Sequence, residues 1–181
     1  NSLNVQVHDC LNKSDLVMLG FSSSGTPIWI NRWVAEADVK IGVGGIKPHA
    51  WAGFSGGAKI VLPGVSSWEA IGRNHMLAVS SDARFGQIDG NPVREDMEEV
   101  AGTVGLNMIV NTVLDDEGRM IDVVAGDFID AHRKGVEVDR RLFEYKIKDE
   151  VDILIAAFGP RDETLWGVLV EKFVGVKEIL K

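Results

Sequence analysis

Residues 42–76 read G-V-G-G-I-K-P-H-A-W-A-G-F-S-G-G-A-K-I-V-L-P-G-V-S-S-W-E-A-I-G-R-N-H-M, bringing glycines, a Pro-His pair, one lysine among small residues and a second histidine into a short span. Ordering glycine costs chain entropy, so a fold that keeps such a cluster uses it for tight turns or for close approach of a ligand to the backbone. The expectation is that a ligand lies against this stretch. Val39 to Val43 reads as a buried strand delivering the chain to Gly44-Gly45. Strand, glycine-rich loop, then helix is the place where α/β proteins put ligands.

The surrounding chain supplies elements for such a fold. Leu3 to Val7 alternates apolar and polar residues and predicts a short strand. Leu16–Phe21 and Pro27–Ile30 flank the polar turn Ser22–Thr26 and predict a hairpin, after which Asn31 can cap a short helix through Ala37. Ser66 with Glu69 reads as a capping box, with Val65 and Ala70 as its hydrophobic staple. On the helix that follows, Trp68, Ile71 and His75 share a face and predict a histidine turned inward with the tryptophan. Asn91-Pro92 starts a helix with the apolar stripe Val93, Met97, Val100, Ala101 and Val104, ended by Gly105. Met108–Leu114 and Met120–Ala125 predict a second hairpin. Asp127 can cap a helix whose inward stripe is Phe128, Ala131, Gly135, Val138, Leu142 and Tyr145. Lys146–Glu150 is a charged bridge to the apolar run Ile153–Phe158, read as a buried parallel strand ended by Gly159-Pro160, with a covering helix carrying Trp166, Val170, Phe173 and Ile179.

Composition excludes several classes of function. A chain of 181 residues with 45% hydrophobic and 25% charged residues is that of a folded globular protein. Its net charge of -8 argues against a sequence-independent nucleic-acid binder, which needs a basic surface to displace counterions. The charge is uneven, however: Lys40, Lys47, Lys59 and Arg73 face only Glu69 between residues 40 and 75, a local excess that draws small anions. The single Cys10 forms no internal disulfide and points to a reducing, cytoplasmic compartment. No apolar run approaches the roughly 20 residues of a spanning helix, so no membrane role is expected. The chain opens without Met and stops in what reads as an unfinished helix, which predicts a fragment of a longer protein.

Lys59 is the first chemical candidate. Gly53 to Lys59 superficially resembles a phosphate loop, but that motif wants Gly before the lysine and Ser or Thr after it, and here Ala58 and Ile60 stand there. A lysine among small residues can instead be a desolvated nucleophile. His49, behind Pro48, suits general acid/base work, with hydrogen bonding within a loop as the other reading. His75 on an apolar helix face reads as a core histidine or a metal ligand. His8 and His132 read as structural or surface residues.

Taken together these parts are more specific. The run P-H-A-W-A-G-F-S-G-G-A-K over residues 48–59, followed by I-V-L-P-G at 60–64, R-N-H at 73–75 and D-G-N-P-V-R at 89–94, closely resembles the nickel-dependent lactate racemase family of racemases and epimerases. The resemblance implies an α/β fold of mixed sheets with flanking helices in a truncated two-domain architecture. Residues 1–147 would be part of the N-terminal, cofactor-binding domain and residues 148–181 the start of the C-terminal domain.

It further implies that Lys59 covalently carries a nickel-pincer nucleotide, that His75 is the protein's nickel ligand and that His49 is a catalytic acid/base. The loop amides of Ser55, Gly56 and Gly57 would hold the nucleotide phosphate as a nest. The implied reaction is reversible oxidation of a 2-hydroxy acid by hydride transfer. The implied partners are that small substrate and the enzymes that make the cofactor, and exposed apolar surface at a truncated edge would favour a homodimer.

The family's upstream Asp-His segment is not present, so the chain by itself is expected to show little or no activity. Asp162–Val168 does not reproduce the Tyr, Gln and Lys that lactate racemases carry near that point, so the resemblance implies a 2-hydroxy acid as substrate without specifying which. Two other readings stand beside this one: a non-catalytic nucleotide- or phosphate-binding module built on Gly53–Lys59, and a structural remnant whose substrate half has decayed.

Overall fold

The computed structural model describes residues 3–145, 151–153 and 155. In chain order it holds β1 (Leu16–Phe21), β2 (Pro27–Asn31), α1 (Arg32–Glu36), β3 (Ile41–Ile46), β4 (Pro48–His49), β5 (Gly53–Phe54), α2 (Trp68–Met76), α3 (Pro92–Val104), β6 (Met108–Leu114), β7 (Met120–Gly126) and α4 (Asp130–Phe143). The fold is α/β, with mixed sheets and flanking helices, as the sequence leads one to expect.

β3 lies parallel to β6, which pairs antiparallel with β7, giving the order β3-β6-β7. Along β6 the side chains alternate between faces, so Ile109, Asn111 and Val113 turn inward while Met108, Val110 and Thr112 stay half-buried. α4 packs on all three strands. At Gly135 the approach is so close that a Cβ would meet Ile46 Cδ1 at 2.2 Å, which is why a glycine stands in the middle of that helix.

Hairpin β1-β2 pairs Leu16 with Asn31 and Met18 with Trp29, and β6-β7 forms the second expected hairpin. Asn31 caps α1, its Oδ1 accepting from Trp33 N at 3.0 Å. Asn91 caps α3 by accepting from the amides of Val93 and Arg94, and Gly105 closes it at φ +78°. All five residues of the expected α3 stripe are buried, each contributing about 1.5–3 kcal/mol as a Val- or Met-sized side chain and less as Ala. They form one core with Ile28, Ile30, Leu62 and Ile109. A second cluster gathers Ile46, Phe54, Ile88, Val113 and Val136.

The structure corrects several local expectations. Leu3–Val7 forms no strand; Leu3, Val5 and Val7 are exposed, and an alternating pattern makes a strand only where another strand offers hydrogen bonds. Gly44 and Gly45 are strand residues of β3 rather than loop, because the ladder continues opposite Asn111 and Thr112. The cap of α2 is Ser67, whose hydroxyl accepts from Ala70 N at 3.1 Å, while the Ser66 hydroxyl is committed to the Val61 carbonyl at 2.7 Å. With Glu69 bound to Lys13 at 3.0 Å, no capping box forms around Ser66.

α4 is also turned from its expected face: Ala131, His132, Gly135, Val136 and Asp139 are buried, whereas Leu142 is 44% exposed. Two polar residues thus occupy an inward face that the apolar spacing alone had given to Val138 and Leu142. The domain boundary at residues 147–148, the Lys146–Glu150 bridge, most of the Ile153–Phe158 strand and the helix through Ile179 lie outside the described residues.

Candidate functional site

The chain leaves β3 at Ile46 and at once makes the small β4-β5 ladder, Pro48 opposite Phe54 and His49 opposite Gly53. A 3-10 turn, Gly57–Ile60, follows and carries Lys59. α2 then brings His75 to the same place. His49 and His75 both pack against the Trp51 indole, with ring centroids 6.5 Å and 5.2 Å from it, both edge-on. His75 therefore packs with Trp51 and not, as its helical spacing suggested, with Trp68, which is 61% exposed.

The electrostatics tie these three residues together. Burial pushes the His49 imidazole down to about 3, with the positive charge of Lys59, Arg94 and Lys47 and the nearby His75 adding to the effect. Burial, then Lys59, also lowers His75. Both rings are held neutral at pH 7, and a neutral imidazole is the form that binds a metal. Lys59 is within electrostatic reach of both, so the structure gathers Lys59, His49 and His75 in one region.

Beneath the loop lie residues to which the sequence assigned no role. Arg94 is fully buried and spans the loop from below: Nε donates to Ala52 O at 3.2 Å, Nη1 to Gly56 O at 3.2 Å and Nη2 to Phe54 O. Burial lowers this guanidinium to about 10, with Glu98 opposing and Arg133 adding to the fall. The signal was legible, since Arg94, Met97 and Ala101 recur at three and four residues on the buried stripe. A cation in the first turn of a helix works against its dipole, which marks a position kept for another reason.

His132, expected to be structural or at the surface, is also fully buried. Its Nε2 donates to Ser55 O at 2.9 Å and its Nδ1 accepts from Arg133, whose guanidinium also grips Glu98 bidentately. Burial, then the charge of Arg94, lowers this ring to about 3; the Ser55 carbonyl opposes the shift and Arg133 adds to it.

A third buried group fixes α2. Asp96 accepts from Ser22 Oγ at 2.5 Å, Thr26 Oγ1 at 2.8 Å and Asn74 Nδ2 at 2.8 Å. Asn74 precedes His75, so the β1-β2 turn and α3 together set the helix that carries it.

At two glycines of the cluster the close approach comes from the protein itself. A Cβ at Gly53 would lie 1.9 Å from Gln87 O, and one at Gly57, where φ is +59°, would lie 2.9 Å from the His132 ring. At both positions the protein's own atoms press against the backbone. Two of the three expected nest amides are likewise engaged: Ser55 N donates to Lys47 O and Gly57 N to Asn111 Oδ1, both at 2.8 Å. A cavity of about 370 Å³ lies elsewhere, between Gln87–Asp89 and the α4 residues Arg133, Val136, Glu137 and Arg140. It shares no residue with the region of Lys59.

Residues 1–86 match the lactate racemase N-terminal domain, a span that contains Lys59, His49, His75 and the whole loop. The chain is 35% identical over 164 residues to the lactate racemase of Thermoanaerobacterium thermosaccharolyticum and 36% identical over 170 residues to that of Lactiplantibacillus plantarum.

The chain is a relative of the lactate racemases.

These alignments cover 88% and 92% of the chain but 38% and 40% of the two racemases, so it spans about two fifths of their length. The fold agrees. The lactate racemase apoprotein of T. thermosaccharolyticum superposes with a TM-score of 0.73 at 36% identity, over 75% of this chain and 33% of that one. A Thermotoga maritima protein superposes with a TM-score of 0.70 at 25% identity, over 88% of this chain and 44% of that one. The racemase-related chain holds no group of three or more His, Cys, Asp or Glu side chains placed to bind a metal among its described residues. Nor does it have, among them, a helix long and apolar enough to cross a membrane.

Proposed function

We propose that this racemase-related chain is the cofactor-carrying part of a racemase or epimerase of 2-hydroxy acids. The observation that carries the reading is the convergence of Lys59, His49 and His75, within the span that matches the lactate racemase N-terminal domain.

The residues present fit a lysine-tethered nickel-pincer nucleotide. Lys59 sits on a tight turn held from below, where its amine would be the attachment point. His75 is neutral, half-buried and fixed through the Asn74–Asp96 bond, as one protein ligand to a nickel ion would need to be. The bound group would supply a hydride acceptor at the C2 carbon of the substrate. Lys47 and Lys59 provide positive charge for the substrate carboxylate and the nucleotide phosphate. His49 packs on Trp51, and the resemblance implies for it an acid/base role toward the hydroxyl oxygen. With Ser55 N and Gly57 N engaged, the phosphate would be held mainly by charge, with the Gly56 amide as the remaining donor of that set.

The reading extends to partners that supply the cofactor and to a cytoplasmic setting. Residues 1–147 are proposed as part of the cofactor-binding domain, with residues 148–181 opening the next. Spanning two fifths of its relatives, the chain alone is proposed not to racemise. The test is intact mass with nickel analysis of the chain co-expressed with the cofactor-making enzymes, beside a Lys59→Ala control. An added mass with about one nickel, absent from the control, supports the reading. A wild type free of both sinks it and leaves a phosphate-binding module as the better account.

A further inference from the structure

Backbone placement alone does not fix the His75 imidazole. The Asn74–Asp96 bond holds α2, but the ring still turns about two side-chain bonds, and the preference at the second is broad. A histidine that ligates a metal ordinarily has its ring held by a hydrogen bond from the other nitrogen to a carboxylate or carbonyl. Among the described residues neither ring nitrogen of His75 makes such a bond. The ring packs instead on the Trp51 indole, edge-on, with 5.2 Å between centroids and 68° between planes.

Trp51 is the better anchored of the two. Its N–H donates to His49 Nδ1 at 3.3 Å, and its carbonyl accepts from Asn91 Nδ2 at 2.8 Å, Asn91 being the cap of α3. Pro48 and His49 before it pair with Phe54 and Gly53, and the next carbonyl, Ala52 O, accepts from Arg94 Nε at 3.2 Å. The indole therefore projects from a backbone held by a strand pair, a helix cap and a buried guanidinium. A rigid indole edge-on to an imidazole makes a favourable contact between a ring edge and a ring face. It restricts rotation of the imidazole while leaving both of its nitrogens unbonded.

We propose that Trp51 is the positioning residue for His75: its indole takes the place of the usual hydrogen-bonded partner and holds the imidazole in a single orientation for nickel. The inference rests on the nickel-pincer reading above and adds to it the residue that orients the metal ligand. Trp51 acts through His75 and itself bonds neither metal nor substrate. It also couples the two histidines, because the N–H that meets His49 and the indole that meets His75 belong to one residue.

The first readout needs no cofactor. Carbon-13 relaxation of the His75 ring in the full chain is expected to report a rigid ring in the wild type and in Trp51→Phe. Trp51→Leu, which keeps apolar bulk without an aromatic ring, is expected to free it. Trp51 is only half-buried, so both variants should fold. A mobile ring in the wild type, or an equally rigid one in Trp51→Leu, overturns the proposal.

The second readout is nickel retained by the chain after co-expression with the cofactor-making enzymes and dialysis against a chelator. Trp51→Leu is expected to lose nickel about 10–100-fold faster than the wild type, the usual cost of removing a ligand's support, and Trp51→Phe to stay within about threefold. The mass added at Lys59 should be the same in all three, which separates orientation from folding and attachment. Wild-type retention in Trp51→Leu overturns the proposal. A wild type that takes up no nickel overturns the racemase reading, while the order of the ring still decides whether Trp51 positions His75.

Discussion

The imidazole of His132 lies on the backbone of Gly57 while donating through Nε2 to the carbonyl of Ser55 at 2.9 Å, so that a helix buttresses the loop that bears Lys59. The loop's shape is thus set from α4 as well as from α3. Gly57 answers to that buttress, and substitution there should be felt in stability before it is felt in any ligand.

Gly57→Ala is expected to destabilise the fold by about 2–4 kcal/mol, adding the cost of a left-handed alanine to the overlap with the His132 ring. Gly102→Ala is the internal control. It sits on an exposed turn of α3 where an added methyl group would meet nothing within 4 Å, and should stabilise by up to about 1 kcal/mol. Urea unfolding of the two variants beside the wild type measures both, and equal effects would refute the buttress.

Arg94→Met removes the charged donor shared by Ala52, Phe54 and Gly56, leaving the Ala52 carbonyl with Phe54 N and the Gly56 carbonyl with Lys59 N. A loss of more than about 3 kcal/mol is expected, at about 1.5–3 for each hydrogen bond to a charged group. Arg94→Lys should recover only part of it, because an ammonium cannot reproduce the planar fork. If lysine restores the whole loss in chemical denaturation, charge rather than geometry holds the loop.

His132 is pushed down to about 3 in the folded chain, against an unfolded value near 6.5. The unfolded chain therefore binds the proton first, and stability falls as pH drops from 6.5 toward 3. His49, also near 3, acts in the same direction. His132→Gln should flatten the slope of unfolding free energy against pH in this window by up to about one proton's worth. An unchanged slope would mean that His132 is charged within the fold.

Asp139 has the opposite sign. It is buried on the inner face of α4, neither carboxylate oxygen has a hydrogen-bond partner among the described residues, and burial raises it to about 6. Its folded-state value lies above its unfolded one, so it favours the fold below about pH 4 and loses that contribution as pH rises through 6. Asp139→Asn is expected to raise the melting temperature at pH 7.5 and to leave it nearly unchanged at pH 4.5. A drop at pH 7.5 would show that the carboxylate has a stabilising partner after all.

Local chemistry determined what could be read from the chain alone. The Asn31 and Asn91 caps, the Gly105 stop, the buried stripe of α3 and the two hairpins each follow from residues within a few positions of one another, as did the resemblance carried by residues 48–75. The long-range contacts belong to the tertiary structure. His132 and Asp139 break an apolar pattern, and only the docking of α4 on the sheet shows that they face inward; Ser66 reads as a cap until the Val61 carbonyl claims its hydroxyl. Glycine spacing told of close approach but not of what approaches, because Gln87 and His132 reach Gly53 and Gly57 from far along the chain.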